Sequence, residues 1–237
     1  MKNNKKYLIL GVIVVIILAA ALILRITKYK VAAPAEPTEN LNIKEAQAQS
    51  YAASKTPILN NDDRFFGSKD APLKIFVYED YTDIYSAELA DTLEKIRQEN
   101  NRVAVIVRPY ILENSPLSKT AALALECAAD AGKWKEMRAL LFANVKNNQL
   151  AAENFLAYAR QLNLNENEFS ACLTNSQKSE RIDQEQAAAK GYSVLGAPTM
   201  FISDELILGA RPYEDYVDSN GDKIEGLKKI VEGKLKD

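Results

Sequence analysis

The sequence contains no histidine. Imidazole-based zinc sites, Ser-His-Asp and Cys-His catalysis, and histidine general bases are excluded together. Cysteine is nearly as scarce, with Cys127 and Cys172 the full complement. Two sulfurs allow at most one internal disulfide and cannot alone hold an iron–sulfur cluster. Neither has a Cys-x-x-Cys partner or an adjacent cation, so neither reads as a catalytic thiol. An excess of charge of one sign is missing too. The 30 lysines and arginines meet 32 acidic residues, leaving a net charge of −2, whereas a nucleic-acid binder usually carries a clear basic excess. Asp218-Ser219-Asn220-Gly221-Asp222 has the look of a calcium loop but lacks its spacing and terminal glutamate, and reads as a turn. Neither a metal nor a cofactor is expected, and the chain shows no internal repeat.

What is present is ordinary for a folded protein: 47% hydrophobic and 26% charged residues over 237 positions, enough for one domain plus extras. Tyr7–Leu24 runs for eighteen residues without a charge. As a helix it would extend about 27 Å, close to the hydrocarbon thickness of a bilayer. A cleaved signal peptide is the alternative, but Arg25, Lys28 and Lys30 follow at once and the nearest small-x-small pattern, Ala33-Pro34-Ala35, contains proline. The expected organisation is a cytoplasmic segment 1–6, a transmembrane helix 7–24, a linker 25–61 rich in Ala, Pro, Glu, Gln and Asn, and a folded domain 62–237. Lysines flank the span on both sides, so the positive-inside count is a near tie.

Within the domain, Leu73–Tyr78 and Val103–Val107 are compact β-rich runs, continuous enough to be buried on both faces of a sheet. Between them Leu89, Leu93 and Ile96 recur at helical spacing over Ala87–Glu99, which makes a β-α-β unit. A helical block follows from about Ser118 to Lys190. Thr199–Ile202 and Glu205–Leu208 read as a tight hairpin, and a helix from about Lys223 to Leu235 closes the chain. Trp134, Met137, Leu140, Leu141 and Phe142 are expected in the core. Tyr78, Tyr81 and Tyr85 cluster after the first strand as a candidate aromatic surface, with half-buried packing as the alternative.

This order resembles the DsbA-like thioredoxin-fold family, found on membrane-anchored bacterial thiol-disulfide oxidoreductases. The matching pieces are Gly67-Ser68-Lys69-Asp70-Ala71-Pro72, Phe76-Val77-Tyr78-Glu79-Asp80-Tyr81, Ser115-Pro116-Leu117-Ser118, Glu126-Cys127-Ala128, Gly196-Ala197-Pro198-Thr199 and Leu208-Gly209-Ala210. The resemblance covers roughly Asp62 to Leu235. It implies an α/β thioredoxin-like fold with a helical insertion at about 118–190.

The family carries Cys-x-x-Cys at the start of the helix after the first strand, where the helix N-terminus stabilises a thiolate. Here Asp83-Ile84-Tyr85-Ser86 stands in that place. A carboxylate cannot pass on a disulfide, and serine cannot act as a resolving thiol. Asp83 and Ser86 are either helix-capping residues of a domain without the family's chemistry, or members of a repurposed site. The resemblance further implies a cis-proline loop at Ala197-Pro198, facing the helix start, which in the family pairs with extended peptides. Candidate peptide-binding residues are therefore Tyr81, Tyr85, Ala197, Pro198 and Thr199. Some relatives carry a structural disulfide at the places of Cys127 and Cys172, and two buried free thiols are the alternative. The expected role is a membrane-anchored, extracytoplasmic module binding an exported or envelope protein or peptide without redox catalysis, with no nucleic-acid partner. The competing expectation is a thiol-disulfide oxidoreductase or isomerase.

Overall fold

A computed structural model describes residues 56–236 of the chain. The expected segments 1–6 and 7–24, and most of the 25–61 linker, lie outside those residues. Among the described residues no helix is long and apolar enough to cross a membrane.

The sheet is built on two parallel neighbours, β2 (Leu73–Glu79) and β3 (Val103–Pro109), in register from Leu73↔Val103 to Glu79↔Pro109. Their crossover is α1 (Ile84–Glu99). Both strands are apolar on both faces because both faces are covered. Ile75, Val77, Val105 and Val107 pack with Leu89, Leu93 and Ile96 of α1. Phe76, Tyr78 and Ile106 face the other way, against Ala189 and Val194. The helix begins three residues earlier than the apolar spacing indicates. Asp83, not an apolar residue, defines its start by accepting a hydrogen bond from the Ser86 N–H.

The expected hairpin is β4 (Thr199–Ile202) and β5 (Glu205–Leu208), antiparallel to each other, with β4 antiparallel to β2 through Tyr78↔Thr199. A strand that the sequence reading does not include, β1 (Arg64–Phe66), pairs antiparallel with β3 and completes the sheet order β1-β3-β2-β4-β5. Three half-buried residues are too few to show an alternation. After β1 the chain turns through Gly67, whose φ of +91° and Cβ direction, 2.7 Å from the Val103 carbonyl oxygen, leave room only for glycine.

The helical block consists of α2 (Ser118–Asp130), α3 (Trp134–Lys146), α4 (Phe155–Gln161), α5 (Glu166–Leu173) and α6 (Ser176–Gly191). Ala121, Leu125, Met137, Leu141, Phe155 and Phe169 form its interior, while Trp134 and Leu140 are only partly buried there. The closing helix is shorter than expected. Lys223–Ile224 is β7, paired with β6 (Tyr216–Val217) around the Asp218–Asp222 turn, and α7 spans Leu227–Lys234. Gly226 breaks the two apart, since any side chain there would run into the Glu214 backbone.

Candidate functional site

The site lies at the C-terminal end of β2, where the chain leaves the sheet and enters α1. Asp80, 1% exposed, is its hub. One carboxylate oxygen accepts from the Thr82 N–H at 2.7 Å and from the Thr82 hydroxyl at 2.6 Å. The other accepts from the Leu112 N–H at 2.8 Å and from the Ser118 hydroxyl. Four donors around one buried carboxylate satisfy it without a cation, which is the condition for burying a charge at tolerable cost. With its own proton given to Asp80, Thr82 accepts from the Ser115 hydroxyl at 2.7 Å.

The Asp80 N–H in turn donates to Ser86 Oγ at 3.2 Å, and Ser86 Oγ donates to Asp83 at 2.8 Å. The same Asp83 oxygen accepts the Ser86 N–H at 2.7 Å. The two positions where the family has cysteines are thus joined to each other and to the hub by a closed hydrogen-bond chain. Ser86 is 1% exposed, its proton is directed at Asp83, and its lone pair is directed at a backbone donor. A hydroxyl so buried and so committed has no approach to an external substrate.

Behind the site, Arg138 of α3 grips Glu79, the last residue of β2, through two bonds of 2.6 Å. Burial holds the Tyr81 phenol well above its ordinary pKa, and the Glu79 carboxylate beside it adds to the effect. Tyr81 points into the helical core with its ring 5.8 Å from that of Phe142. Of the two alternatives for the tyrosine cluster, Tyr78 and Tyr81 take the packing one, so Tyr81 offers no surface to a peptide, while Tyr85 is 61% exposed. Two bulky rings at the end of a doubly covered strand continue its burial.

Across from the helix start, the loop 195–198 enters β4. The Ala197–Pro198 bond is cis. Pro198 and Thr199 are buried, so of the five candidate peptide-binding residues only Tyr85 and Ala197 present surface. The Thr199 hydroxyl donates to the Gly196 carbonyl at 2.7 Å and fixes the loop. Among the described residues the backbone N–H and C=O of Ala197 have no hydrogen-bond partner. Leu195, which the sequence reading passed over, is 70% exposed. Pairing of Tyr78 with Thr199 sets this loop beside the helix start at one end of the sheet.

A disulfide joins Cys127 of α2 to Cys172 of α5, with Cα atoms 5.9 Å apart. It lies in the helical block, on elements apart from the Asp83–Ser86 turn. Among the described residues no group of three or more Cys, Asp or Glu is placed to hold a metal ion.

The family model described as thioredoxin matches residues 59–219. The chain belongs to the thioredoxin family. Solved structures place its fold among DsbA-like members. The thiol-disulfide exchange protein alpha-DsbA2 of Wolbachia pipientis superposes with a TM-score of 0.58 at 17% identity, covering 84% of this chain and 99% of that one. A periplasmic thioredoxin-like protein of Salmonella enterica serovar Typhimurium gives 0.57 at 22% identity, covering 77% and 100%. A thioredoxin-like oxidoreductase of Silicibacter pomeroyi gives 0.59 at 15% identity, covering 75% and 92%. Among curated proteins, the Na(+)/H(+) antiporter NhaA 3 of Salinispora tropica is 26% identical over 176 residues, which is 74% of this chain and 27% of that protein. The antiporter NhaA 1 of Salinispora arenicola is 27% identical over 148 residues, 62% of this chain and 22% of that protein. The chain therefore spans about a quarter of the length of these curated relatives.

Proposed function

We propose that this thioredoxin-family domain binds an extended protein or peptide segment at the loop 195–198 and the start of α1, and does not exchange disulfides there. The observation that carries the reading is the occupation of both redox positions by a closed Asp83–Ser86–Asp80 hydrogen-bond chain, beside an unpaired Ala197 backbone that can take an added strand. The domain works outside the cytoplasmic membrane, held there by residues 7–24. The periplasmic origin named for the Salmonella relative and a disulfide, which persists in oxidising compartments, support that placement.

The full chain is expected to give no dithiol-dependent insulin reduction above background while retaining an unfolded client polypeptide in a pull-down. Turnover by the unmodified chain overturns the reading. Protease added to cells stripped to the inner membrane is expected to cut the domain; its protection would remove the extracytoplasmic placement.

A second reading has one observation behind it. The Cys127–Cys172 bridge borders an open cavity of about 200 Å³, so a thiol-disulfide oxidoreductase or isomerase acting on exported proteins through that bridge is the alternative. Asp130 and Glu168 line the same cavity and would repel an incoming thiolate, which disfavours it. Insulin reduction that vanishes in the Cys127→Ala, Cys172→Ala variant would establish it.

A further inference from the structure

The chemistry of the occupant follows from what the redox cysteines have been replaced by. Asp83 uses a single carboxylate oxygen, Oδ2, for both bonds from Ser86. Among the hydrogen bonds and ion pairs of the described residues, Asp83 Oδ1 has no partner, and no lysine or arginine is paired with this carboxylate. Two residues on, Tyr85 is 61% exposed, and neither face of its ring carries one of the cations that stack on Phe65, Phe66, Phe76 and Tyr213. Two further apolar side chains are exposed in this region. Ile84 is 39% exposed and Leu195 is 70% exposed on the facing loop. Large apolar side chains exposed together beside unpaired backbone mark a surface made for contact.

We propose that the occupant is an extended polypeptide segment bearing an arginine between apolar residues. Its guanidinium takes the free Asp83 oxygen and lies against the Tyr85 ring. Its apolar neighbours cover Ile84 and Leu195, and its backbone pairs with Ala197. The assignment rests on the reading of this face as a peptide-binding site and specifies the ligand. A redox-active relative could not bind in this way, because a cysteine at position 83 offers no fixed carboxylate. Arginine is the better match than lysine, since its planar fork suits both a carboxylate and an aromatic face. Asp83 sits at a helix N-terminus, where the backbone dipole partly offsets its charge, so the selectivity is modest.

The test uses three fluorescent, acetylated and amidated heptapeptides of alternating valine and threonine, with a central arginine, glutamine or glutamate, titrated against the full chain by anisotropy. The arginine peptide is expected to bind roughly three- to tenfold more tightly than the glutamine peptide, from one exposed ion pair and one cation–π contact. The glutamate peptide is expected to bind most weakly. Asp83→Asn keeps the helix cap, because asparagine caps as well as aspartate, and should remove most of the arginine preference, read as the ratio of arginine-peptide to glutamine-peptide affinity. Tyr85→Ala should lower affinity for the arginine peptide without altering the fold. Equal affinity for all three peptides, or an arginine preference that survives Asp83→Asn, overturns this assignment and leaves peptide binding standing. Failure of every peptide to bind overturns peptide binding itself.

Discussion

The hydroxyl of Ser86 donates to the carboxylate of Asp83 across 2.8 Å, joining by a hydrogen bond the two positions that the family joins by a disulfide. A 16-residue helix starts directly after Asp83, whose carboxylate caps the Ser86 N–H, and the strand that precedes it ends in a buried acid, Glu79. Neither position carries a sulfur, so these two residues cannot form or exchange a disulfide with each other. The turn is a structural corner, with Tyr85 exposed beside it.

The corner depends on Asp80. Asp80→Asn replaces one accepting oxygen with an N–H₂ that meets either the Thr82 donors or the Leu112 and Ser118 donors. The loss of stability is expected to be about 2–3 kcal/mol, from unsatisfied buried donors. Urea unfolding at neutral pH measures it. A midpoint unchanged from the parent chain would mean that the hub contributes little.

Arg138 and Glu79 form a buried bidentate pair, with side chains 10% and 1% exposed. Removing one partner leaves a buried charge, so Arg138→Met is expected to cost about 3–5 kcal/mol. Replacing both, as Arg138→Met with Glu79→Gln, should restore most of that loss, because the penalty comes from the unpaired ion and not from the absence of the pair. Thermal unfolding of the two variants separates these outcomes.

The bridge between Cys127 and Cys172 closes a loop across a sequence separation of 45. Chain entropy for a loop of that size corresponds to roughly 4 kcal/mol of stabilisation, which is an upper figure for most proteins. The Cys127→Ala, Cys172→Ala chain should therefore unfold at distinctly lower urea concentration with the arrangement at Asp83 unaltered. Thiol labelling of the unfolded, unreduced protein should find no free cysteine.

Glu185 supplies a pH dependence. Burial raises its pKa, and the nearby Arg181 only partly opposes this. A carboxyl whose folded pKa is raised binds its proton more tightly in the native state than in the unfolded chain. The resulting stabilisation is complete below the unfolded value of about 4.3 and is lost as pH rises through the folded value. Glu185→Gln should match the parent near pH 4 and exceed it in stability at pH 7. A difference constant from pH 4 to pH 7 would contradict this.

The doubly apolar strands, the crossover helix and the hairpin at Thr199–Leu208 were legible in the sequence, because each is written in a local period or an uninterrupted apolar run. So was the loss of the redox pair, since Asp83 and Ser86 fall between recognisable flanks. β1 and the Tyr216–Ile224 hairpin were not legible. They are two or three residues long, and they exist because a neighbouring strand or a turn supplies their hydrogen bonds.

The sequence by itself determined that there is no histidine chemistry and no Cys-x-x-Cys motif, for composition and linear pattern decide both, while the thioredoxin-type fold was legible through the resemblance of its motifs to the family. Only the tertiary structure decided which residues make the site. Asp80, Thr82, Ser115 and Ser118 come together because the end of β2, the start of α1 and the segment entering α2 converge on one buried carboxylate. Tyr81 and Tyr85, four residues apart, part company there. The first turns inward against Phe142 while the second is left in solvent, because the chain turns a corner between them and burial follows from what packs over each residue, not from its type.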